Sequence, residues 1–356
     1  MMRKLARHLL RRARRLRQPI DDALPFGMLD LSRSREELAA AHKVARLYHK
    51  GQTQAWDGRR VLSELIKKHG GIHTEPDKAE AIRHIFAVIL WGELAAWKIS
   101  AALAVRLEPM DAKMAATSQA HDEARHFYVM HDYLKELGEV PRTLRPRTKE
   151  MLERVLEADS TAKMLLGMQL VVEPMALTLF HLVRDRHIEP VLEDLLTYFE
   201  QDEARHVALG VLHLPEILRR MSLVETADLA QWQLREYLLQ LDMLQELGND
   251  FRALGIDPTE ALQLGRKKQV QATRLLADRL GRGIPVMEAL LRVVDFRAAW
   301  TFSGDDVGLS ARARNSVRAA LDGFDGDHRV LEREGWLEGA LPTAPARAPL
   351  REEPAR

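Results

Sequence analysis

The pentapeptide Asp-Glu-Ala-Arg-His occurs twice in this chain, at 122–126 and again at 202–206. Each copy contains a glutamate and a histidine three positions apart, a spacing that places both side chains on one face of a helix. A lone glutamate precedes each copy within an apolar stretch, Glu93 before the first and Glu173 before the second. Each lies 30 positions before the glutamate of its copy. The repeat therefore predicts two matched sets of ligating side chains.

The spacing also predicts how these side chains meet. The midpoint between each lone glutamate and its copy falls in a turn-like, proline-containing stretch, around Glu108 in the first half and around Ile188 in the second. Two antiparallel helices bring residues that are equally far from their turn to the same height. Each lone glutamate should therefore face the glutamate of its copy, and the two hairpins should bring all six groups to one level. The expected metal ligands are Glu93, Glu123, His126, Glu173, Glu203 and His206.

Four carboxylates and two imidazoles in a helical bundle suit two iron ions bridged by carboxylates. A glutamate buried without a partner in such apolar runs would cost several kcal/mol, and a metal ion is a natural partner. The chain has no cysteine, so a metal must be held by histidine and carboxylate, which favours iron or manganese. We therefore predict an iron pair, with a manganese–iron pair as the alternative. A surface salt-bridge role would explain one pentapeptide, but two copies at equal intervals make it a poor explanation.

The other residues of the pentapeptides are expected to support the ligands. A metal-bound histidine usually donates its second ring N–H to a carboxylate. We expect Asp122 to reach His206 and Asp202 to reach His126, in each case across the two hairpins. The arginine of each copy should hold these aspartates by bidentate pairing. The alternative is ordinary ion pairing on the surface. The four supporting residues are Asp122, Arg125, Asp202 and Arg205.

Long patterns of 3.6-residue periodicity predict an all-α protein. Its expected segments are a basic N-terminal arm over 1–33, a helical bundle over 34–221, a C-terminal helical extension over 222–335 and a disordered tail over 336–356. Ser160 should cap a helix that starts after a break in 147–185, and Asp111 should cap the helix before it. The expected helices are 34–66, 77–107, 111–137, 147–185, 188–221, 226–247, 258–280 and 285–301.

Charge patterning bears on partners and location. The net charge is +1, which argues against nucleic-acid binding by the folded body. The first seventeen residues contain eight basic and no acidic side chains. They could form an interfacial arm for anionic lipid or an acidic partner, and a solvated tail is the favoured alternative. Charged residues interrupt each later apolar run, so we expect no membrane span and a cytoplasmic protein, with peripheral membrane contact as the alternative.

At these residues the chain resembles the ferritin-like diiron superfamily. The likeness is closer to its oxygen-activating branch: ribonucleotide reductase small subunits, R2-like ligand-binding oxidases and bacterial multicomponent monooxygenase hydroxylases. All three share the order Glu…Glu-x-x-His…Glu…Glu-x-x-His, and the resemblance covers about 77–221. It implies a ferritin-like four-helix bundle with additional N- and C-terminal helices. Carried over to this sequence, the six ligands are those named above.

The chain departs from this branch at the positions that mark its subgroups. The reductase subunits usually carry a radical tyrosine where this chain has Met130. The ligand-binding oxidases crosslink a valine to a tyrosine, and Ala95 and Met168 stand at those positions. The monooxygenases have a threonine where Leu177 lies, and the arylamine N-oxygenases have a histidine where Phe199 lies. The resemblance therefore implies the metal cage and leaves the reaction open.

We expect a non-haem diiron oxidase or oxygenase that activates O2 to oxidise a small apolar or aromatic substrate, with electrons from a reductase or ferredoxin. The alternatives are a ferritin-like iron-oxidising or peroxide-detoxifying protein and a metal-bearing small subunit of a larger complex, whose signature would be an exposed apolar face on 226–301. A homodimer is also compatible with the sequence. Apolar neighbours of the ligands could equally line a substrate pocket or fill the core: Leu90, Ala96, Trp97, Phe127, Met130, Ala176 and Leu177.

Overall fold

The computed structural model describes residues 45–280, 285–304 and 306–322. Within these ranges the regular structure is helical and no strand occurs, which confirms the all-α prediction. The basic arm over 1–33, the start of the predicted first helix and the tail over 336–356 lie outside the described residues. In chain order the helices are α1 Ala45–Thr53, α2 Gly58–His69, α3 Pro76–Arg106, α4 Met110–Leu137, α5 Pro146–Leu156, α6 Thr161–Gly167, α7 Glu173–Asp185, α8 Pro190–Arg220, α9 Leu223–Glu246, α10 Gly248–Ala253, α11 Pro258–Leu280, α12 Pro285–Thr301 and α13 Leu309–Asp322.

Four long helical segments form a bundle at the centre of the molecule. Helix α3 packs along α4, α4 against α8, and α8 against α7, while α6 and the residues that join it to α7 pack back onto α3. The short helices α1 and α2 lie against α4 and α8 on one side. Helices α9 and α11 cover α6 and α7 on the other. The predicted division of the chain at residue 222 stays a prediction.

The close approach of α1 to the bundle depends on a glycine. A Cβ atom at Gly51 would lie 2.3 Å from the hydroxyl oxygen of Ser118 on α4. A side chain at this position would displace the Ser118 hydroxyl. Gly51 therefore allows α1 to pack directly over the part of α4 that carries the first pentapeptide.

Two helix caps were predicted, and the structure confirms one of them. Ser160 caps α6 and accepts a hydrogen bond from the backbone N–H of Lys163, as predicted. The predicted cap at Asp111 is wrong. Helix α4 begins at Met110, one residue earlier, and Pro109 stands at its cap position. Asp111 lies in the first turn, where a carboxylate interacts favourably with the helix dipole.

One wide helical turn precedes a predicted ligand. Residues Met168–Val172 form a π-helical turn between α6 and α7, and the N–H of Glu173 bonds to the carbonyl of Met168, five residues earlier. Pro174 follows and has no N–H to offer. In an ordinary α-helix its ring would clash with the carbonyl four residues before it, and the wider turn avoids that clash. The side-chain amide of Gln240 on α9 donates to the carbonyl of Val171 at 2.9 Å.

The premise that no later stretch is apolar enough to span a membrane is wrong, whereas the expectation that none does so stays a prediction. By length and composition, two of the described segments, Pro76–Arg106 and Thr161–Asp185, are apolar enough to cross a bilayer. Both are mostly buried inside the protein, and each contains one of the two lone glutamates. The core helices of a bundle satisfy the same test, because they are apolar on most faces.

Candidate metal centre

The structure brings all six predicted ligands together in the middle of the bundle. Glu93 comes from α3, the first glutamate–histidine pair from α4, Glu173 from the start of α7 and the second pair from α8. All six side chains are buried. Two overlapping groups of four residues have ligating atoms within 4.8 Å of one another. We call them position 1, made of Glu93, Glu123, His126 and Glu203, and position 2, made of Glu123, Glu173, Glu203 and His206.

At position 1, Nδ1 of His126 is the atom that faces the carboxylates. It lies 3.1 Å from Oε1 of Glu203 and 3.5 Å from Oε2 of Glu123. The Oε2 atom of Glu93 is also 3.5 Å away. Three carboxylates from three different helices therefore surround one imidazole nitrogen.

Position 2 repeats this arrangement. Nδ1 of His206 lies 2.8 Å from Oε2 of Glu203 and 3.0 Å from Oε1 of Glu123. The Oε1 atom of Glu173 is 3.8 Å away. Glu123 and Glu203 thus direct one oxygen to each position and can bridge two ions. Glu93 belongs to position 1 alone, and Glu173 belongs to position 2 alone.

The donor set fits a pair of metal ions. Nδ1 of His126, Oε2 of Glu123 and Oε1 of Glu203 are fully buried, and their nearest polar neighbours are the other groups of the cluster. These atoms belong to position 1. Oxygens buried against one another cost free energy unless a cation or a proton lies between them. Carboxylate oxygen and imidazole nitrogen are ligands that iron and manganese accept, and four glutamates balance the charge of two divalent ions.

The carboxylates and imidazoles of the cluster shift one another's pKa values. Burial, reinforced by Glu203, raises the pKa of both Glu93 and Glu173 well above the ordinary value. Burial alone would also raise the pKa of Glu123 and of Glu203, but His206 and His126 together outweigh it and lower both pKa values.

The histidines complete this balance. Burial alone would lower the pKa of His126 and His206, but the surrounding carboxylates raise both pKa values well above the ordinary value.

The second ring nitrogen of each histidine meets the aspartate of the opposite hairpin. Nε2 of His126 is 3.0 Å from Asp202, and Nε2 of His206 is 3.3 Å from Asp122. These are the two contacts expected from the sequence. They leave Nδ1 of each ring directed at the glutamates. Burial alone would raise the pKa of Asp202, but the hydrogen bond and the charge of His126, together with Arg205, lower that pKa to about 2.

The pentapeptide arginines connect the two aspartates into one unit, which we call the charged ring: Asp122, Arg125, Asp202 and Arg205. The Nη2 atom of Arg125 donates to both aspartates, at 2.6 and 2.8 Å. The Nη2 atom of Arg205 also donates to both, at 2.9 and 2.6 Å. The predicted bidentate pairing is wrong, because one nitrogen of each guanidinium bridges two carboxylates. All four residues are buried, so surface ion pairing does not describe them.

Two aromatic residues next to position 1 were not predicted as part of the site. Nε1 of Trp56, in the segment between α1 and α2, donates to Asp202 at 2.8 Å, and Arg125 lies over the indole ring. The ring of Phe199 stacks on His126, with centroids 4.3 Å apart. The spacing of Phe199, one helical turn before Glu203, could have identified it. Nothing in the sequence around Trp56 connects it to the repeat.

Two glutamines next to position 2 were also missed. Nε2 of Gln119 donates to Oε1 of Glu123 at 2.9 Å and to Oε1 of Glu173 at 3.0 Å. Gln169, in the π-helical turn, donates to the carbonyl oxygen of Gln119 at 3.0 Å. Each glutamine lies four residues before a predicted ligand, so helical spacing could have pointed to both.

The predicted pocket residues remain a prediction, with one correction. Trp97 has 41% of its surface exposed, so it does not line an enclosed space beside the carboxylates. Its position on α3 is one turn beyond Glu93, where the helix face turns outward. Phe127 is half-buried, and the other five predicted residues are buried. None of the seven predicted pocket residues lines the cavity between α7, α9, α11 and α12 or the cavity between α1, α4 and α8.

The larger cavity is partly open to solvent and has about 590 Å³ of space between α7, α9, α11 and α12. Its lining includes Met175, Leu179, Tyr237 and Leu262. The smaller cavity is also partly open and has about 200 Å³ of space beside position 2, between α1, α4 and α8. It is lined by Leu47, Ala115, Ser118, Gln119, Asp122, Arg205, His206 and Leu209.

Comparison with known proteins supports the fold. No protein-family model and no curated protein matches the sequence. A solved structure of a Synechococcus protein with aldehyde deformylating oxidase activity matches with a TM-score of 0.51 and 19% identity, over 60% of this chain and 97% of that one. An R2-like ligand-binding oxidase with a Mn/Fe cofactor matches with a TM-score of 0.41 and 17% identity, over 68% of this chain and 94% of that one. This chain has the ferritin-like all-α fold, with a buried carboxylate–histidine cluster at its centre.

Proposed function

We propose that this protein is a metal-dependent oxidoreductase that holds two iron ions, or a manganese–iron pair, and uses O2 to oxidise a small organic molecule. The observation that carries the proposal is the set of buried atoms at position 1 that have no hydrogen-bond partner outside the cluster. A second position lies next to them and shares two of the same glutamates. Such atoms are costly unless a cation binds them. The six proposed ligands are Glu93, Glu123, His126, Glu173, Glu203 and His206.

When bound, the metal ions would supply the electrons and the Lewis acidity that reduction of O2 requires. The chain's own residues supply geometry. Glu123 and Glu203 would contribute an oxygen to each of two ions, and Glu93 and Glu173 would complete one position each. The two aspartates of the charged ring accept hydrogen bonds from the Nε2–H groups of the histidines and would thereby fix which nitrogen faces the metal. Burial of the whole cluster excludes bulk water from the reacting groups.

The substrate is proposed to be apolar or aromatic. Apolar residues lie within one helical turn of the ligands on three bundle helices, among them Leu90, Met130 and Leu177, and all three are buried. A small, uncharged molecule is the kind of ligand that such surroundings accept. We further propose a reductase or ferredoxin as the electron donor and the cytoplasm as the location.

The first test is metal content and its dependence on the bridging glutamates. Metal-free protein is loaded anaerobically with Fe²⁺, desalted and analysed, beside a Glu123→Ala/Glu203→Ala double variant. We expect two ions per wild-type chain and none in the variant, with circular dichroism showing equal helix content. A wild-type chain that retains no iron or manganese would refute the proposal.

The second test separates an oxidoreductase from an iron-oxidising protein. Loaded protein is exposed to O2 with a chemical reductant and a panel of apolar, aromatic and aldehyde compounds, because the Synechococcus structure is described as an aldehyde deformylating oxidase. We expect catalytic O2 consumption, with one class of compound converted to product. O2 consumption that stops when the supplied Fe²⁺ is exhausted, with no compound changed, would instead establish a ferritin-like iron oxidase.

One observation favours a second candidate, the metal-bearing subunit of a larger assembly. Large apolar side chains are exposed on the last two described helices, including Val293 and Phe296 on α12 and Leu321 on α13. Scattered apolar residues are common on surfaces, whereas a contiguous patch indicates an interface. Self-association through this face would give a homodimer. Sedimentation of the wild type and of a Val293→Glu/Phe296→Glu variant tests this, since only an interface would make the variant dissociate.

A further inference from the structure

The two metal positions differ at residues related by the internal repeat. Gln119 lies four residues before Glu123, and Phe199 lies four residues before Glu203. Gln119 directs an amide at position 2, whereas Phe199 places an aromatic ring against His126 at position 1. Otherwise the positions are built from the same residue types. Equivalent points on the two helices therefore present an amide to position 2 and an aromatic ring to position 1.

The orientation of the Gln119 amide follows from its partners. Its nitrogen donates to Glu123 and Glu173, and its oxygen accepts from Nε2 of Gln169. The reversed orientation would place the amide oxygen against two carboxylate oxygens and the amide nitrogen against another N–H group. With Gln169 donating to Gln119, the hydrogen bonds favour the orientation that places the Gln119 nitrogen against the two carboxylates.

The position of Gln169 is fixed by backbone features of two helices. It lies in the π-helical turn before Glu173. On the facing helix α8, a Cβ atom at Gly210 would come within 2.6 Å of the Cβ atom of Gln169. Gly210 therefore allows the two backbones to approach closely enough for Gln169 to reach Gln119.

An amide therefore donates to two of the oxygens that a metal ion at position 2 would need. No amide donates to the corresponding atoms of position 1. At position 2, Oε1 of Glu123 and Oε1 of Glu173 both accept from Gln119. At position 1, Nδ1 of His126 and one oxygen each of Glu123 and Glu203 face one another, and no amide donates to them. A metal ion entering position 2 must share its oxygens with an amide, and one entering position 1 does not.

The space around the two positions differs in the same sense. The cavity of about 200 Å³ lies on the side of position 2 and includes Gln119 and His206 in its wall. Its lining also includes Ser118, which is partly exposed. His126 at position 1 is covered by Phe199 and Trp56.

We propose that Gln119, held by Gln169, is a positioning residue that makes position 2 the weaker and more exchangeable of the two metal positions. This inference rests on the proposed function, because it assumes that metal binds at these residues. Position 1 fills first and retains its ion, and position 2 fills second and loses its ion first. An amide hydrogen bond to a charged oxygen corresponds to about a tenfold change in affinity, so we expect the positions to differ by at least about tenfold.

The test is an anaerobic titration of metal-free protein with Mn²⁺, followed by electron paramagnetic resonance. In the wild type we expect the spectrum of isolated ions up to one equivalent and a coupled-pair spectrum only as the second equivalent binds. In Gln119→Leu we expect the affinity ratio to fall by about tenfold, so that coupled pairs already form below one equivalent. Gln233→Leu, a buried glutamine on α9 whose amide contacts Tyr237, serves as the matched control and should leave the ratio unchanged.

Two further variants identify which position is tight. Glu173→Ala should retain the high-affinity ion, whereas Glu93→Ala should lose it. If Gln119→Leu does not fold, as judged by circular dichroism, Gln169→Leu replaces it and should shift the ratio in the same direction. Equal affinities in the wild type, or an unchanged ratio in a folded glutamine variant, would overturn this inference alone. A wild type that binds no Mn²⁺ or Fe²⁺ would overturn the proposed function.

Discussion

The two Asp-Glu-Ala-Arg-His copies have the same sequence and make corresponding contacts, yet their surroundings differ. In both, the glutamate directs its two oxygens to the two histidines, and the aspartate reaches the histidine of the other copy. Around the first copy, Arg125 lies over Trp56, and around the second, Arg205 donates to Gln54 at 2.8 Å. His126 is stacked on an aromatic ring, whereas His206 lies in the wall of a cavity.

The comparison separates two levels of specification. Contacts within the repeat follow from helical spacing, so identical pentapeptides give equivalent contacts. The inequivalence comes from side chains outside the pentapeptides, and each of these depends on which other helices pack nearby. Substitutions inside the repeat should therefore affect contacts that both copies share. Substitutions around the repeat should affect one metal position more than the other.

The largest effects are expected at the glutamates, where bridging and terminal ligands should separate. Glu123→Ala and Glu203→Ala should each abolish retention of both ions, because each side chain serves both positions. Glu93→Ala and Glu173→Ala should each leave one ion per chain. Metal analysis after desalting measures this directly. One retained ion in either bridging variant would contradict the assignment of that glutamate as a bridge.

The next largest effect concerns pH. The raised pKa values of Glu93, His126, Glu173 and His206 favour the protonated form of all four groups. Metal binding must displace these protons, so affinity should rise with pH and fall as the groups are protonated more strongly at low pH. Two protons per ion correspond to about a hundredfold change in affinity per pH unit.

Proton release can be measured with a pH indicator in weakly buffered solution during anaerobic addition of Mn²⁺. We expect about four protons per chain, two for each position. Affinity that does not change with pH, or metal binding without proton release, would show that these four groups carry no protons that a metal ion must displace.

The charged ring should be the main contributor to stability among the supporting groups. Arg125→Met or Arg205→Met leaves two buried aspartates with a single bridging cation, and each should lower the free energy of unfolding by about 3–5 kcal/mol. The double variant should lose less than the sum, because both arginines belong to one ring. Urea unfolding of metal-free protein measures these differences.

The control for the charged ring is Lys149→Met, which removes an exposed ion pair with Glu153 and should cost less than about 1 kcal/mol. Equal losses in the buried and exposed variants would show that burial of the charged ring contributes nothing to stability.

The smallest effect is expected at Trp56. Trp56→Phe keeps an aromatic ring beside His126 and removes the hydrogen bond to Asp202, which should lower the free energy of unfolding by about 1–2 kcal/mol. It should weaken metal binding at position 1 and leave position 2 unchanged. Trp97→Phe, at an exposed tryptophan, is the matched control and should change neither quantity. A Trp56 variant that behaves like the control would remove Trp56 from the site.

Most of the site could be predicted from the sequence, because its six ligands lie on regular helices at repeated intervals. The contacts of Asp122 and Asp202 with the histidines followed from the same spacing. The bridging of both aspartates by single arginine nitrogens did not, since it depends on the distance between two helices. Trp97 lies one turn from Glu93 and was expected inside, but the neighbouring helices do not cover that face of α3.

Helical periodicity was enough to predict the all-α class and the four carboxylates and two histidines. The equal intervals were enough to predict that these six groups meet at one level. The positions of Gln119 and Gln169 against position 2, the contact of Trp56 with Asp202 and the cavity between α1 and His206 depend on how the helices pack. These features join residues far apart in the chain through helix packing, a π-helical turn and close approaches at Gly51 and Gly210, and no local period encodes such contacts.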